Sequence, residues 1–73
     1  MAQKAIALHR LIWCKIRFWQ RLNSVPDDTL ARYLNLSPRT LREYDNNAGS
    51  LSLERLENFM AAANLTLEEL TRF

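Results

Sequence analysis

The cationic side chains are the residues of this 73-residue chain best suited to chemistry, and they are unevenly distributed. The segment that ends at Ser24 contains no Asp or Glu and carries +5, from Lys4, Arg10, Lys15, Arg17 and Arg21. From Val25 onward five arginines meet eight carboxylates, which is a balance of −3. Such an asymmetry predicts an anionic partner that is reached largely through the first segment.

The sequence offers few residues for catalysis or metal binding. One cysteine, Cys14, and one histidine, His9, exclude an internal disulfide and a zinc site of the usual spacings. No nucleophile stands at a recognisable spacing from a base, and no glycine-rich phosphate loop is present. We therefore expect no enzyme, no metal and no cofactor, with Cys14 as a small apolar group and His9 as a surface or boundary residue.

The composition predicts one folded domain over residues 1–73. A hydrophobic fraction of 48% with one glycine and two prolines is typical of a helical globular chain, not of a disordered one. A membrane span needs about 20 apolar residues, and Lys15 and Arg17 interrupt the richest apolar stretch. The first 22 residues also lack the pattern of a secretory signal. We expect a cytoplasmic protein without a membrane partner.

Hydrophobic spacing and capping residues predict five helices. The first covers about residues 3–22, with Arg10, Arg17 and Arg21 in a stripe opposite an apolar arc. That arc consists of Leu8, Leu11, Ile12, Ile16, Phe18, Trp19 and Leu22, with Lys15 inside it. Val25-Pro26 ends this helix, and the acidic pair Asp27-Asp28 suits the first turn of a second helix that runs through Leu34.

Three further helices follow short turns. Ser37 as N-cap and Pro38 after it start a helix that reaches about Asp45, so a pair of helices with a tight turn covers residues 27–46. A fourth helix over about 52–63 and a fifth over about 67–72 follow, the fifth with a capping box of Thr66 and Glu69. Their predicted core residues are Leu53, Leu56, Phe59, Met60, Ala63, Leu65, Leu67 and Leu70.

The segment from Asp27 to Asn46, DDTLARYLNLSPRTLREYDN, resembles the helix-turn-helix domains of the Cro and phage-repressor type, also called Xre-like. The resemblance continues without a gap through LERLENFMAAANLTLEEL and covers 44 of the 73 residues. It implies an all-α, compact five-helix domain of the lambda-repressor-like fold. Asn35 and Asn47 stand where the family usually has glycine, and asparagine tolerates the left-handed backbone that such turns require.

The resemblance implies a small sequence-specific transcriptional regulator from a phage or a bacterium, which binds a double-stranded DNA operator as a homodimer. The third helix is then the recognition helix. Its outward residues, and therefore the expected DNA contacts, are Ser37, Pro38, Arg39, Thr40, Arg42, Glu43 and Asn46. Arg39 and Arg42 suit guanine edges and Asn46 suits an adenine edge, whereas Ser37 and Thr40 suit phosphates. Glu43 suits a cytosine amino group or, as the plainer alternative, an ion pair with Arg39.

Two features favour another class of protein, an antirepressor that binds a repressor instead of DNA. Asp27 stands where the family commonly has a glutamine that touches phosphate, and Asp28 adds a second charge that repels DNA. Trp13, beside Arg17, has the composition of an interface hot spot, although a side chain half-buried under the last helix is the alternative. A second candidate set, for phosphate or partner contacts, is Arg10, Trp13, Arg17 and Arg21.

The sequence leaves two structural questions open. Asp45 replaces a glutamate whose arginine partner in the family is Gln20 here, and either Arg17 or Arg21 is suited to take over that pairing. Phe59 and Phe73 are suited both to the core and to the seam of a dimer.

Overall fold

A computed structural model describes residues 7–73, and over that range the chain is all-α. Its five helices are α1 (Leu8–Leu22), α2 (Asp27–Leu34), α3 (Pro38–Glu43), α4 (Leu53–Ala63) and α5 (Leu67–Thr71). The predicted all-α class with five helices is confirmed over these residues, and α3 ends two residues before its predicted limit of about Asp45. Residue 3, where the first helix was predicted to begin, lies outside the described residues. Ala7 precedes α1 with a non-helical ψ of 137°.

Side-chain caps start three of the helices. The Ser37 hydroxyl accepts a hydrogen bond from the Thr40 N–H at 3.1 Å, and Ser52 caps α4 in the same way through the Arg55 N–H at 3.2 Å. At α5 the predicted capping box of Thr66 and Glu69 is present. Each of these contacts satisfies an N–H group that the helix itself leaves unpaired, so the starts of α3, α4 and α5 are determined locally.

The turn between α2 and α3 depends on a left-handed residue. Asn35 has φ 59° and ψ 46°, as predicted, and the Leu36 N–H then returns to the Ala31 carbonyl at 2.8 Å. From α4, the Arg55 guanidinium donates to the carbonyls of Leu34 and Asn35, which are left over at the end of α2. The turn therefore changes the direction of the chain between α2 and α3.

Asn47 does not adopt the left-handed conformation predicted for it. Its side-chain oxygen instead accepts a hydrogen bond from the Gly49 N–H at 2.8 Å, so the residue stabilises its turn through its amide group. The other positive φ angles in the described chain belong to Ser24, at 54°, and Asn64, at 57°. Ser24 lies between α1 and α2, and Asn64 ends α4.

The core lies where α1, α2, α3 and α4 converge and is closed by α5. Its fully buried members are Ile16, Leu30, Leu34, Leu41, Phe59 and Leu70. Trp19 packs edge-on against Phe59, with ring centroids 5.1 Å apart. Phe59 therefore belongs to the core, not to a dimer seam, whereas Phe73 is partly buried and meets Phe18 at 5.8 Å.

The predicted apolar arc of α1 is wrong at four positions, because Leu8, Leu11, Phe18 and Leu22 are exposed. The buried face is rotated toward Trp13 and Gln20, and it keeps Ile12, Ile16 and Trp19. Hydropathy alone could not place this face, because Trp13 and Gln20 become suitable for burial only when α2 and α3 supply partners for their N–H groups.

The predicted core of the last two helices needs a smaller correction. Leu53 and Leu67 are each the first residue of a helix, and both are exposed. The buried positions of α4 and α5 begin one turn later, at Leu56 and Leu70. Leu56, Phe59 and Leu70 are buried as predicted, and Met60, Ala63 and Leu65 are partly buried against them. Within residues 7–73, none of the helices combines the length and the apolar character required to cross a membrane.

Candidate functional site

Helix α3 has one anchored face and one charged, solvent-exposed face. Leu41, on the inner face of α3, is fully buried, and Tyr44, directly after the helix, is also buried. On the outer face the side chains of Arg39, Arg42 and Glu43 are 87%, 60% and 61% exposed. The helix is thus fixed by its inner residues while its arginines stay free to contact a ligand.

The other predicted contacts of this region surround the helix. Ser37 is exposed, and its hydroxyl also donates to the Thr40 hydroxyl at 3.0 Å, while Pro38 and Thr40 are half-buried. Asn46 is exposed but lies past the end of α3, in the turn that follows. All seven predicted positions therefore lie on or beside α3, five of them at its exposed surface.

Both arginines of α3 form only weak ion pairs with acidic neighbours. The Arg39 Nε lies 3.8 Å from the Glu43 carboxylate, and an Arg42 Nη lies 4.0 Å from an Asp27 oxygen. Exposed pairs at such distances contribute about 0–1 kcal/mol to stability. A phosphate or a base edge can replace either carboxylate at little cost in stability.

Arg17 is bound within the protein by three polar side chains. Its Nε and one Nη donate to the two Asp45 oxygens at 3.0 and 2.9 Å, which is the two-pronged geometry that favours Arg over Lys. The remaining Nη donates to Asp27 at 2.9 Å and to the Gln20 carbonyl at 2.7 Å. Of the two alternatives, Arg17 and not Arg21 therefore pairs with Asp45. Because these carboxylates engage its guanidinium, Arg17 is less available for the phosphate or partner contact predicted for it than the exposed Arg10 and Arg21 are.

The two carboxylates of this cluster are held ionised. The Gln20 amide, which donates at 2.7 Å, and then Arg17 lower the pKa of Asp27, whereas Arg17 and then the Trp13 N–H lower the pKa of Asp45. Burial works against the charge of Arg17, but its hydrogen bonds to Asp45 and Asp27 outweigh burial and raise its pKa. Asp27 is consequently a compensated charge and not the free anion that the sequence suggested.

Trp13 belongs to the same cluster and is not a partner surface, which corrects the prediction. It is 4% exposed, its indole N–H donates to Asp45 at 2.9 Å, and its ring meets Tyr44 edge-on at 5.2 Å. The Arg17 guanidinium lies 5.4 Å from the centre of the same ring, as the spacing predicted. A tryptophan with an acceptor for its N–H is favoured inside, because it buries a large apolar area without an unpaired donor.

Arg10 and Arg21 remain exposed on either side of this cluster. Arg10 borders a surface groove of about 310 Å³ that it shares with Asn46 and Asn47. Arg21 borders an open cleft of about 580 Å³ that it shares with Val25 and Asp27. The outer face of α3, the first turn of α2 and the exposed arginines of α1 are therefore joined on one side of the molecule.

Gln20 is the member of this cluster that sequence reasoning did not select. Its amide donates to the Val25 carbonyl at 3.0 Å as well as to Asp27, and so it fastens the end of α1 to the start of α2. The sequence pointed to Gln20 in one way only: it stands where the Cro and phage-repressor domains that the chain resembles have an arginine.

The described residues contain no group of His, Cys, Asp or Glu arranged to hold a metal ion. Comparisons with models of protein families, with curated proteins and with solved structures found no match. The charged side of the molecule is thus characterised by its own geometry, which consists of two exposed arginines on a well-anchored short helix with two more arginines beside it.

Proposed function

We propose that this protein is a small sequence-specific DNA-binding transcriptional regulator of the Cro and repressor type, which acts in the cytoplasm of a bacterium or as a phage product there. The observation that carries the proposal is the exposure of Arg39 and Arg42 on the outer face of α3, whose inner face Leu41 anchors. A helix so presented fits the major groove, where arginine forms two hydrogen bonds with guanine.

Contacts around α3 supply the positioning part of binding. Thr40 and Ser37 lie at the helix N-terminus, where hydroxyl and N–H groups suit phosphate oxygens, and Asn46 lies at the other end. Arg10 and Arg21 add positive charge beside the helix, which the chain needs because its segment from Val25 onward carries −3. In this proposal a homodimer reads two half-sites about 34 Å apart.

The compensation of Asp27 supports DNA binding over the antirepressor alternative. Both features that favoured an antirepressor are altered, since Trp13 is buried and Asp27 is bound to Arg17 and Gln20. Asp28 alone remains as an exposed acid at the start of α2. The antirepressor is therefore kept as the explanation to be adopted if duplex DNA is not bound.

The test is binding of the purified chain to random and genomic duplex DNA across a salt series, with selection for bound sequences. The Arg39→Ala, Arg42→Ala double variant should lose the specific site, with about 1–3 kcal/mol lost for each arginine that reads a guanine. Arg72→Ala is the control for the Arg39 half of this variant, because each of the two substitutions removes one positive charge and one i,i+4 ion pair, with Glu68 on α5 for Arg72 and with Glu43 for Arg39.

Each outcome has a defined meaning for the proposal. A selected sequence that is lost in the double variant and retained in Arg72→Ala supports reading by α3. Unchanged binding in the double variant would move the contact to Arg10 and Arg21 and would overturn the assignment of α3. Absence of duplex binding at low salt would overturn the regulator itself and favour binding to a repressor protein.

A further inference from the structure

Asp27, at the start of α2, turns one carboxylate oxygen toward α1 and the other toward α3. Its Oδ1 accepts hydrogen bonds from the Gln20 amide at 2.7 Å and from Arg17 at 2.9 Å. Its Oδ2 lies 4.0 Å from an Nη of Arg42. The contacts of Oδ1 join α1 to α2, whereas Oδ2 is the atom through which the same side chain acts on α3.

The direction of the Asp27 carboxylate is fixed by its partners on α1. Gln20 is buried, and its amide also donates to the Val25 carbonyl at 3.0 Å. Arg17 is held by both oxygens of Asp45. Two donors that are themselves held in place leave the carboxylate little freedom to turn. Asp27 therefore presents Oδ2 to α3 in a defined position, in the way that supporting hydrogen bonds orient a binding side chain.

Arg42 gains an orientation from this contact while its N–H groups stay available. Its side chain is 60% exposed, and an exposed arginine samples many rotamers that it loses on binding. A separation of 4.0 Å is too long for a hydrogen bond, but the attraction of opposite charges favours rotamers that point toward the first turn of α2. A guanidinium has five N–H donors, and a guanine edge uses two of them. Arg42 can therefore read a base while a further N–H stays directed at Asp27.

Arg39 lacks a partner of this kind. Its acidic neighbour, Glu43, lies one turn away on the same helix at 3.8 Å, and the Glu43 side chain is 61% exposed. Within residues 7–73 the Glu43 carboxylate forms no other ion pair. The two arginines of α3 thus differ, because Arg42 faces a carboxylate of fixed direction and Arg39 faces one that is itself exposed.

We propose that Asp27 is a positioning residue for base recognition, which directs Arg42 toward one base pair of the DNA. This inference rests on the proposed function, because it requires that Arg42 reads a base. Asp27 then contributes to discrimination between sequences and not to overall affinity. Its negative charge repels phosphate, so it also weakens binding poses in which Arg42 turns away to the DNA backbone.

A purely structural role is the alternative for Asp27. An acid in the first turn of α2 interacts favourably with the helix dipole, and the ion pair with Arg17 joins α1 to α2. Loss of such a role would destabilise the fold and weaken binding to every duplex alike. A positioning role predicts instead a loss of preference at a single base pair. The test therefore measures the preference at each base pair in addition to the affinity.

The test variant is Asp27→Asn, which removes the charge that attracts Arg42. Asparagine has nearly the same shape and keeps a carbonyl oxygen for the N–H groups of Gln20 and Arg17. Fluorescence anisotropy measures binding to the sequence that the parent chain selects and to duplexes that are each changed at one base pair. Arg42→Ala identifies the base pair that Arg42 reads. We expect Asp27→Asn to lower the preference at that base pair by about threefold, the scale of an exposed ion pair, and to bind random duplex at least as tightly as the parent.

Asp28→Asn is the matched control for this variant. It makes the same change at the adjacent residue, which is exposed and forms no ion pair in the described part of the chain. It should keep every base preference of the parent. In an Arg42→Ala background, Asp27→Asn should cause no further loss of preference, as expected for two residues that act through one contact. Circular dichroism and urea unfolding check the fold, and Asp27→Gln supplies a second neutral amide if asparagine prevents folding.

The outcomes separate this inference from the proposed function. Unchanged preference in Asp27→Asn, or an equal loss in Asp28→Asn, would overturn the positioning role of Asp27 and leave DNA reading by α3 intact. A loss that persists in the Arg42→Ala background, or that affects every base pair alike, would assign Asp27 to the structure alone. If Arg42→Ala itself keeps every preference, or if no duplex is selected, the proposed reading by Arg42 fails and this inference fails with it.

Discussion

At the scale of single residues, Arg17 links three helices through all of its nitrogen atoms. Two of them engage Asp45 after α3, and the third engages Asp27 at the start of α2 and Gln20 on α1. The side chain of Arg17 is 23% exposed, so solvent screens these contacts only in part. The orientation of α3 relative to α1 therefore depends on a polar cluster as well as on apolar packing.

Replacement of Arg17 should lower stability in a way that depends on hydrogen-bond geometry. We expect Arg17→Met to lower the free energy of unfolding by about 1–2 kcal/mol, since it removes charge-assisted hydrogen bonds in a partly exposed setting. The free energy of unfolding of Arg17→Lys should lie between those of the parent chain and Arg17→Met, because lysine retains the charge and loses the two-pronged contact with Asp45. Urea unfolding measures both. A lysine variant as stable as the parent would show that charge alone matters here.

The same cluster predicts a dependence of stability on pH. The pKa values of Asp27 and Asp45 are lowered in the fold, so the unfolded chain takes up protons first as the pH falls. Their contribution is complete above the ordinary carboxyl pKa of about 4 and is lost as the pH falls below it toward their folded values. Urea unfolding from pH 6 to pH 2 should show a steeper loss for the parent than for Arg17→Met. Parallel curves would contradict this origin of the effect.

At the scale of elements, turn residues and caps determine where each helix stops and starts, and contacts between helices determine which face is buried. Ser37 and Asn35 flank the turn that separates α2 from α3, and Arg55 of α4 binds the carbonyls at the end of α2. The path of this turn thus results from a local conformation that a distant side chain reinforces.

The left-handed turn residue gives a test at this scale. Asn35→Ala should lower the free energy of unfolding by about 1 kcal/mol, because alanine is strained at φ 59°. Asn35→Gly is the matched control and should be nearly neutral, since glycine adopts that angle freely. Thermal and urea unfolding compare the two. If the glycine variant is destabilised as much as the alanine variant, the side chain of Asn35 matters more than its backbone angle.

At the scale of the whole molecule, the distribution of charge decides how the chain meets an anion. The side formed by α3, the first turn of α2 and the arginines of α1 contains Asp27 and Asp45, which share an ion pair with Arg17, and Arg42 lies 4.0 Å from Asp27. Asp28 is exposed in the first turn of α2, and within residues 7–73 it forms no ion pair. It is therefore the acid whose removal should change the field on this side most directly.

Neutralisation of Asp28 should strengthen the proposed DNA binding. Asp28→Asn is expected to tighten duplex binding by about threefold to tenfold at low salt, which corresponds to about 1 kcal/mol of removed repulsion. The gain should shrink as salt is added. Glu57→Gln on α4 changes the net charge equally and should have a smaller effect. Anisotropy titrations at several salt concentrations measure this difference, and an equal gain in both variants would mean that net charge alone governs binding.

The sequence by itself determined the order of the five helices and the starts of α3, α4 and α5, because these depend on neighbouring residues. Ser37 and Pro38 start α3, Thr66 and Glu69 start α5, and Asn35 tolerates the left-handed turn, each through contacts within a few residues. It also determined that Arg39 and Arg42 share a helix with the buried Leu41, since helical spacing separates them from its inner face.

Only the tertiary structure decided which face of α1 is buried and which acids are compensated. Trp13 is inside because its N–H donates to Asp45, which lies far along the chain. Gln20 is inside because its amide donates to the Val25 carbonyl and to Asp27, across the turn that follows α1. Leu8, Phe18 and Leu22 are outside because α1 turns its other face, which carries Ile16 and Trp19, toward the core. Hydropathy ranks side chains one at a time, whereas burial depends on partners that the folded chain brings together, and this is why the predicted face of α1 was wrong.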